Sequence, residues 1–243
     1  MVDILLTDDN IYYTKTLINS ISEKNKCTRV FAIATNGKEV LEKIEQNKID
    51  IILLDIEMPQ YNGFEVLNIL SQRYRDYYRN SVIVMSNYYN NYSKFQNNPC
   101  VYSCANKING IDNILNEIQK LVEIKEKDKY QRNLKKDVMK ELAELNYNFK
   151  YNGTKYLIES IMLIWNRQDI DNINLKRDIF PVVAKNNNKT INNVKININY
   201  ANEMMFYDCP QYKLDQYFGY KVISKPKVKF AISTILQKLY INK

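Results

Sequence analysis

The sequence predicts a doubly wound α/β domain on a parallel five-stranded sheet, followed by an all-α domain that contains a helix–turn–helix. Three observations predict it. Over residues 1–125 short apolar runs alternate with stretches of helical spacing. Residues 1–126 carry 14 Lys and Arg against 16 Asp and Glu, whereas residues 127–243 carry 21 against 11. Beyond residue 145 the apolar spacing is helical almost throughout. The expected organisation is an α/β domain over 1–125, a helical linker over 126–145 and an all-helical domain over 146–243.

Five runs read as strands: 2–7 (VDILLT), 29–34 (RVFAIA), 49–54 (IDIILL), 81–85 (SVIVM) and a weaker 100–104 (CVYSC). They are apolar on both faces, as a strand must be when helices cover both sides of its sheet. Helical spacing connects Leu17, Ile18 and Ile21, then Val40, Leu41 and Ile44, then Phe64, Val66, Leu67 and Leu70. Asn36 stands where the second of these helices needs an N-cap. Ile111, Ile114, Leu115, Ile118 and Leu121 form the last set, while 88–98 (YYNNYSKFQNN) is poorly patterned. The charged stretch 123–145, without Gly or Pro, reads as a helix end, a linker and the first helix of the second domain.

In the second half, Tyr156, Leu157, Ile161 and Ile164 fit one helix, with Gly153 near its start. Ile179, Val182, Val183 and Ala184 fit another, and Ile191, Val194, Ile198, Ala201 and Met205 a third. Ala231, Ile232, Ile235, Leu236 and Leu239 fit a fourth. The second and third are joined by the polar turn Asn186-Asn187-Asn188-Lys189, with Thr190 as N-cap of the third. At about 100° per residue, Val194, Ile198, Ala201 and Met205 share one face of that helix. Asn192, Ile196, Asn199 and Glu203 share the opposite one, with Asn193 and Tyr200 beside them. A buried stripe and an amide-rich outer face in a basic domain suit the major groove of DNA. Lys185, Lys189 and Lys195 are placed to meet phosphates. With 33 Asn in the chain, a solvated surface helix is the competing reading.

Composition excludes several functions. No histidine occurs among the 243 residues, which rules out a Ser-His-Asp or Cys-His pair, a His-ligated zinc and a phosphohistidine donor role. Cys27, Cys100, Cys104 and Cys209 lack CxxC spacing and are expected to be buried free thiols in a reducing cytoplasm. No apolar run reaches the roughly 18 residues of a membrane-spanning helix, so no membrane partner is expected. The start, MVDILLTDDN, lacks the basic region of a signal peptide, so a cytoplasmic location is expected. The basic second half favours nucleic acid or an acidic surface as partner.

Asp8, Asp9, Asp55, Ser86 and Lys107 stand just past the ends of predicted strands. In an open parallel sheet ligands bind outside those carboxyl ends. Three carboxylates brought together repel unless a hard divalent cation such as Mg²⁺ joins them. A nearby lysine can pair with a bound anion, and a hydroxyl can hydrogen-bond it. The chemistry this permits is phosphoryl transfer onto a carboxylate.

On LLTDDN (5–10), ATNGKEVL (34–41) and LLDIEMPQYNGFEVL (53–67), residues 1–125 resemble the flavodoxin-like receiver domain of two-component response regulators. The resemblance implies that Asp55 is the phospho-acceptor, with Ser86 as switch hydroxyl and Lys107 as the invariant lysine. It implies Mg²⁺ held by Asp8, Asp9, Asp55 and the backbone carbonyl of Glu57. Three positions depart from the family: Ile108 replaces the Pro after the lysine, Cys104 the switch aromatic, and Asn87 the small residue after the hydroxyl. Intact acceptor chemistry with altered reporting is therefore expected.

On GTKYLIESI (153–161), IFPVVAKNNNKTINNVKININYANEM (179–204) and KPKVKFAISTILQKL (225–239), residues 149–243 resemble the effector domain of the stage-zero sporulation protein A family. That resemblance implies a DNA-binding helical domain, a histidine kinase or phosphotransferase as phosphodonor, and a homodimer on DNA. The DNA-facing residues are then Lys185, Lys189, Thr190, Asn192, Asn193, Lys195, Ile196 and Asn199. Asn193, Ile196 and Asn199 stand where the family carries arginines. Arg reads guanine and Asn adenine, so an A·T-rich operator is expected. The resulting expectation is a diverged transcription regulator rather than an enzyme. Its rivals are a phosphorylation-independent adaptor that binds a kinase or phosphotransferase, and a phosphate sink.

Overall fold

In a computed structural model the chain divides into two compact units, Met1–Lys129 and Tyr130–Lys243. The structure describes residues 1–24, 26–87, 92–95, 97–167 and 173–241. The first unit holds strands β1 (Val2–Thr7), β2 (Thr28–Ala34), β3 (Ile51–Asp55), β4 (Val82–Ser86) and β5 (Val101–Asn106). All pair in parallel, in the order β2-β1-β3-β4-β5. Each lies within a residue or two of its expected run. The central strands β3 and β4 are buried at every position, the physical meaning of their unbroken apolar text.

Helices α1 (Ile11–Lys24), α2 (Gly37–Gln46), α3 (Gly63–Arg73), α4 (Tyr92–Phe95) and α5 (Ile111–Glu144) follow. Leu17, Ile21, Ile114, Ile118 and Leu121 pack on one face of the sheet. Val40, Ile44, Val66, Leu67, Leu70 and Phe95 pack on the other. The Asn36 side chain accepts from the Glu39 amide and caps α2, as expected. Asn62 and Glu65 form a reciprocal capping box on α3. Of the poorly patterned 88–98, Tyr92–Phe95 is helical, while 88–91 and 96 lie outside the described residues.

The second unit comprises the end of α5, then α6 (Asn152–Arg167), a π-helical turn (Leu175–Ile179), α7 (Phe180–Asn186), α8 (Ile191–Asp208), α9 (Gln211–Phe218) and α10 (Val228–Ile241). No strand occurs among its described residues. The break expected within 123–145 is absent, because α5 runs unbroken from Ile111 to Glu144. Leu134, Val138 and Leu142, spaced one turn apart, are buried in the second core together with Leu145. That stretch therefore acts as a core helix rather than a linker. The short helix α9 was not anticipated. It buries Leu214, Tyr217 and Phe218 and stops at Gly219, whose φ of 76° gives the left-handed cap.

Helices α6 and α8 cross closely at Gly153. A Cβ there would lie 1.9 Å from the Asn197 carbonyl oxygen, so only glycine permits this approach. The stripe Val194, Ile198, Ala201 and Met205 is buried, but Ile191 is not. All four cysteines are free; Cys100 and Cys209 are buried, Cys104 is half-buried, and Cys27 is exposed, contrary to expectation. Cys27 precedes the strand-opening Thr28 in a surface turn, where a small apolar residue need not be covered. Among the described residues no helix is long and apolar enough to cross a membrane.

Candidate functional site

The sheet order reverses between β1 and β3, and the carboxyl ends of those strands carry the acidic residues. Thr7 pins the two strands: its hydroxyl donates to the Leu53 carbonyl at 2.9 Å and accepts from the Asp55 amide at 3.0 Å. Asp8 and Asp55 are 1% and 3% exposed, and Asp9 is open to solvent. One oxygen from each of the three carboxylates lies within 4.8 Å of the others. Lys107, just after β5, donates to both buried carboxylates, at 2.7 Å to Asp8 and 2.8 Å to Asp55. These residues line a cleft of about 420 Å³ with Asn10, Tyr13, Glu57, Asn87 and Ile108.

The electrostatics follow from this packing. Burial pushes the Asp55 carboxyl up to about 6, against the pull of Lys107; Asp8 adds to the rise. Burial works against the Lys107 ammonium, yet its hydrogen bonds to Asp55 and Asp8 hold its pKa above the ordinary lysine value. Gly63 lies close beneath the site, where a Cβ would come within 2.5 Å of the Asp55 carbonyl oxygen. This is the physical reason for the glycine at the end of the Asp55–Gly63 motif.

In the second unit α7 and α8 form a helix–turn–helix. Thr190 accepts from the Asn193 amide at 3.1 Å and caps α8 as expected. Lys185, Lys189, Thr190, Asn192, Asn193, Lys195, Ile196 and Asn199 are all exposed. The turn asparagines do a different job: Asn186 and Asn187 each donate to the Glu159 carboxylate on α6 at 2.7 Å. Asn188 takes the left-handed conformation, φ 53°, that closes the turn.

Two family models match the chain. Residues 4–97 match the response regulator receiver domain, and residues 138–239 match the sporulation initiation factor Spo0A C terminal. The chain is a response regulator. Its receiver domain is joined to a sporulation-type C-terminal domain. It is 38% identical over 74 residues to a protein-glutamate methylesterase/protein-glutamine glutaminase of Bacillus subtilis (strain 168), covering 30% of this chain and 20% of that protein. A protein of the same description from Desulfotalea psychrophila is 42% identical over 67 residues, covering 28% and 18%. The regulator thus spans about a fifth of the length of these relatives. The response regulatory domain of protein mrkE from Klebsiella pneumoniae is similar in structure, with TM-score 0.45 and 18% identity over 52% of this chain and 99% of that one.

Several residues of the regulator's site had no signal in the sequence. The Asn10 side chain accepts from the Tyr12 and Tyr13 amides and starts α1. The Tyr13 ring lies 5.1 Å from the Lys107 ammonium, a cation–π contact. Burial, with Asp8 and Asp55, lifts the Tyr13 phenol to about 12. Asn106 accepts from the Ile108 amide at 2.8 Å, satisfying the N–H that a proline there would lack. Ser86 ends β4, one residue beyond the Met85 that pairs with Asp55; it is buried and is not among the residues lining the cleft. Tyr102 does not stand in for the missing switch aromatic. A bulge in β5 sends Tyr102 to the α1/α5 face, while Cys104 packs on the α2/α3 face, its thiol pushed up to about 11 by burial.

Proposed function

We propose that this regulator accepts a phosphoryl group on Asp55 from a histidine kinase or phosphotransferase and couples it weakly to DNA binding by α8. The observation that supports it most is the convergence of Asp8, Asp9, Asp55 and Lys107 at the carboxyl ends of the central strands. The donor set is all oxygen, which suits Mg²⁺. Two oxygens on one Mg²⁺ lie at most about 4.2 Å apart, so carboxylates within 4.8 Å need only a small closure. Asp8, Asp9, Asp55 and the Glu57 carbonyl would hold the ion, which would neutralise charge on the phosphoryl oxygens.

Asp55, ionised above a pKa of about 6, attacks phosphorus. A P–O bond forms, the donor's P–N bond breaks, and the electron pair leaves with the donor imidazole. Lys107 then pairs with a phosphoryl oxygen, and the Ser86 hydroxyl donates to another. With Cys104 in place of an aromatic, no ring stands at this position to report the phosphoryl group, hence the weak coupling. The chain acts as a regulator rather than as an enzyme, in the cytoplasm.

On DNA, a homodimer would place α8 in the major groove of A·T-rich operators. Asn192 and Asn199 are the best-placed adenine readers. The Asn193 amide oxygen already accepts from Asn197 at 3.2 Å and must release it to read a base. Ile196, 58% exposed at the centre of the outer face, suits a thymine methyl. The test is labelling by a phosphorylated donor with Mg²⁺. Asp55→Asn should abolish labelling, and equal labelling of wild type and variant would remove Asp55 as acceptor.

A further inference from the structure

A cleft of about 690 Å³ opens beside α8 in the second unit. Its wall carries Lys176 and Arg177 from the π-helical turn, Lys195 and Asn199 from α8, and Lys229 from the first turn of α10. Among the described residues no aspartate or glutamate lines it. All four cations are exposed. Arg177 pairs with Asp178 at 2.8 Å, whereas Lys176, Lys195 and Lys229 form no salt bridge among the described residues. By contrast Lys225, a few residues before α10, is neutralised by Glu203 at 3.0 Å. The three lysines, without a carboxylate partner among the described residues, repel one another, and an anion in the cleft relieves that repulsion.

The position of the cleft indicates which anion. Ile196 marks the centre of the outward face of α8. At about 100° per residue, Asn199 and Lys195 lie roughly 60° and 100° to one side of it. A helix whose outer face meets base edges turns its flanks towards the phosphate walls of the groove. The cleft is also far larger than one phosphate, and its cations come from three separate elements, as a charged polymer requires. We propose that this cleft receives one strand of the DNA phosphate backbone, extending the interface beyond the helix–turn–helix to Lys176, Arg177 and Lys229. The proposal rests on the placement of α8 in the major groove.

The test is titration of the full chain with an A·T-rich duplex over a NaCl series. Each lost phosphate contact lowers the slope of log affinity against log salt by about 0.9, so Lys176→Ala/Lys229→Ala should lower it by about 2. The preference for A·T-rich over G·C-rich duplex should not change. Lys136→Ala/Lys140→Ala, which removes two exposed charges from α5, is the control and should leave the slope as it is. A wild-type slope in the cleft variant, or an equal fall in the control, would overturn the cleft while leaving α8 as the DNA reader. Absence of DNA binding by wild type would overturn both.

Discussion

Replacing Asp55 by Asn should stabilise the first unit at pH 7.5, although it removes half of an ion pair. The folded structure raises the Asp55 carboxyl from 3.8 to about 6, chiefly by burial, and Lys107 recovers only part of that penalty. A rise of about 2 units corresponds to roughly 3 kcal/mol for holding the charge at neutral pH. Lys107 keeps its 2.7 Å partner Asp8 in the variant, so no buried cation is orphaned. The penalty is absent below about pH 4, where the wild-type carboxyl is protonated whether folded or not. It grows as pH rises through 6 and is complete above 7. The variant should therefore gain up to about 3 kcal/mol at pH 7.5 and nothing near pH 4. Urea unfolding followed by far-UV circular dichroism at pH 4, 5, 6 and 7.5 measures the difference. Fluorescence of Trp165, the only tryptophan and buried in the second core, marks that unit's transition separately. Mg²⁺ should stabilise wild type more than the variant, because it binds only the folded acidic site. A variant less stable than wild type at pH 7.5, or a difference that ignores pH, would refute the reasoning.

Gly153→Ala should destabilise the second unit by at least about 1–3 kcal/mol, read from Trp165 fluorescence, because its Cβ meets backbone of α8; a change within about 0.5 kcal/mol would mean that the helices do not approach this closely. Asn202→Ala removes buried hydrogen bonds to the Tyr147 hydroxyl and the Pro226 carbonyl, both 2.7 Å. It should cost at least about 2 kcal/mol in the same assay. Phosphorylation should raise DNA affinity only about fivefold, on the order of 1 kcal/mol, and a hundredfold rise would contradict the role assigned to Cys104. Asn199→Ala should cost about 1–3 kcal/mol at one base pair and relax preference there, whereas Lys189→Ala should weaken all sequences alike; uniform losses from both would mean that α8 reads no bases.

Much of the molecule was legible locally. The central strands β3 and β4 were visible because burial on both faces leaves continuous apolar text, and α8 because one buried stripe repeats at helical spacing. Asp8, Asp9, Asp55 and Lys107 were legible as candidates because a parallel sheet collects its strand ends at one edge. Tertiary packing decided the rest. Local spacing reports only whether a residue is covered, never by what. The unbroken α5, the Tyr13 ring over Lys107 and the Glu159 anchor for Asn186 and Asn187 involve partners that periodicity does not name. A single bulge in β5 put Tyr102 and Cys104 on opposite faces, since one inserted residue reverses the alternation of a strand. The cationic cleft joins residues from the π-helical turn, α8 and α10, some fifty positions apart in the chain. Sequence by itself determined the five strands, most of the helices, and which polar residues stand at the strand ends. Which side chains share a hydrogen bond or a cleft was decided only when non-local burial brought distant residues together.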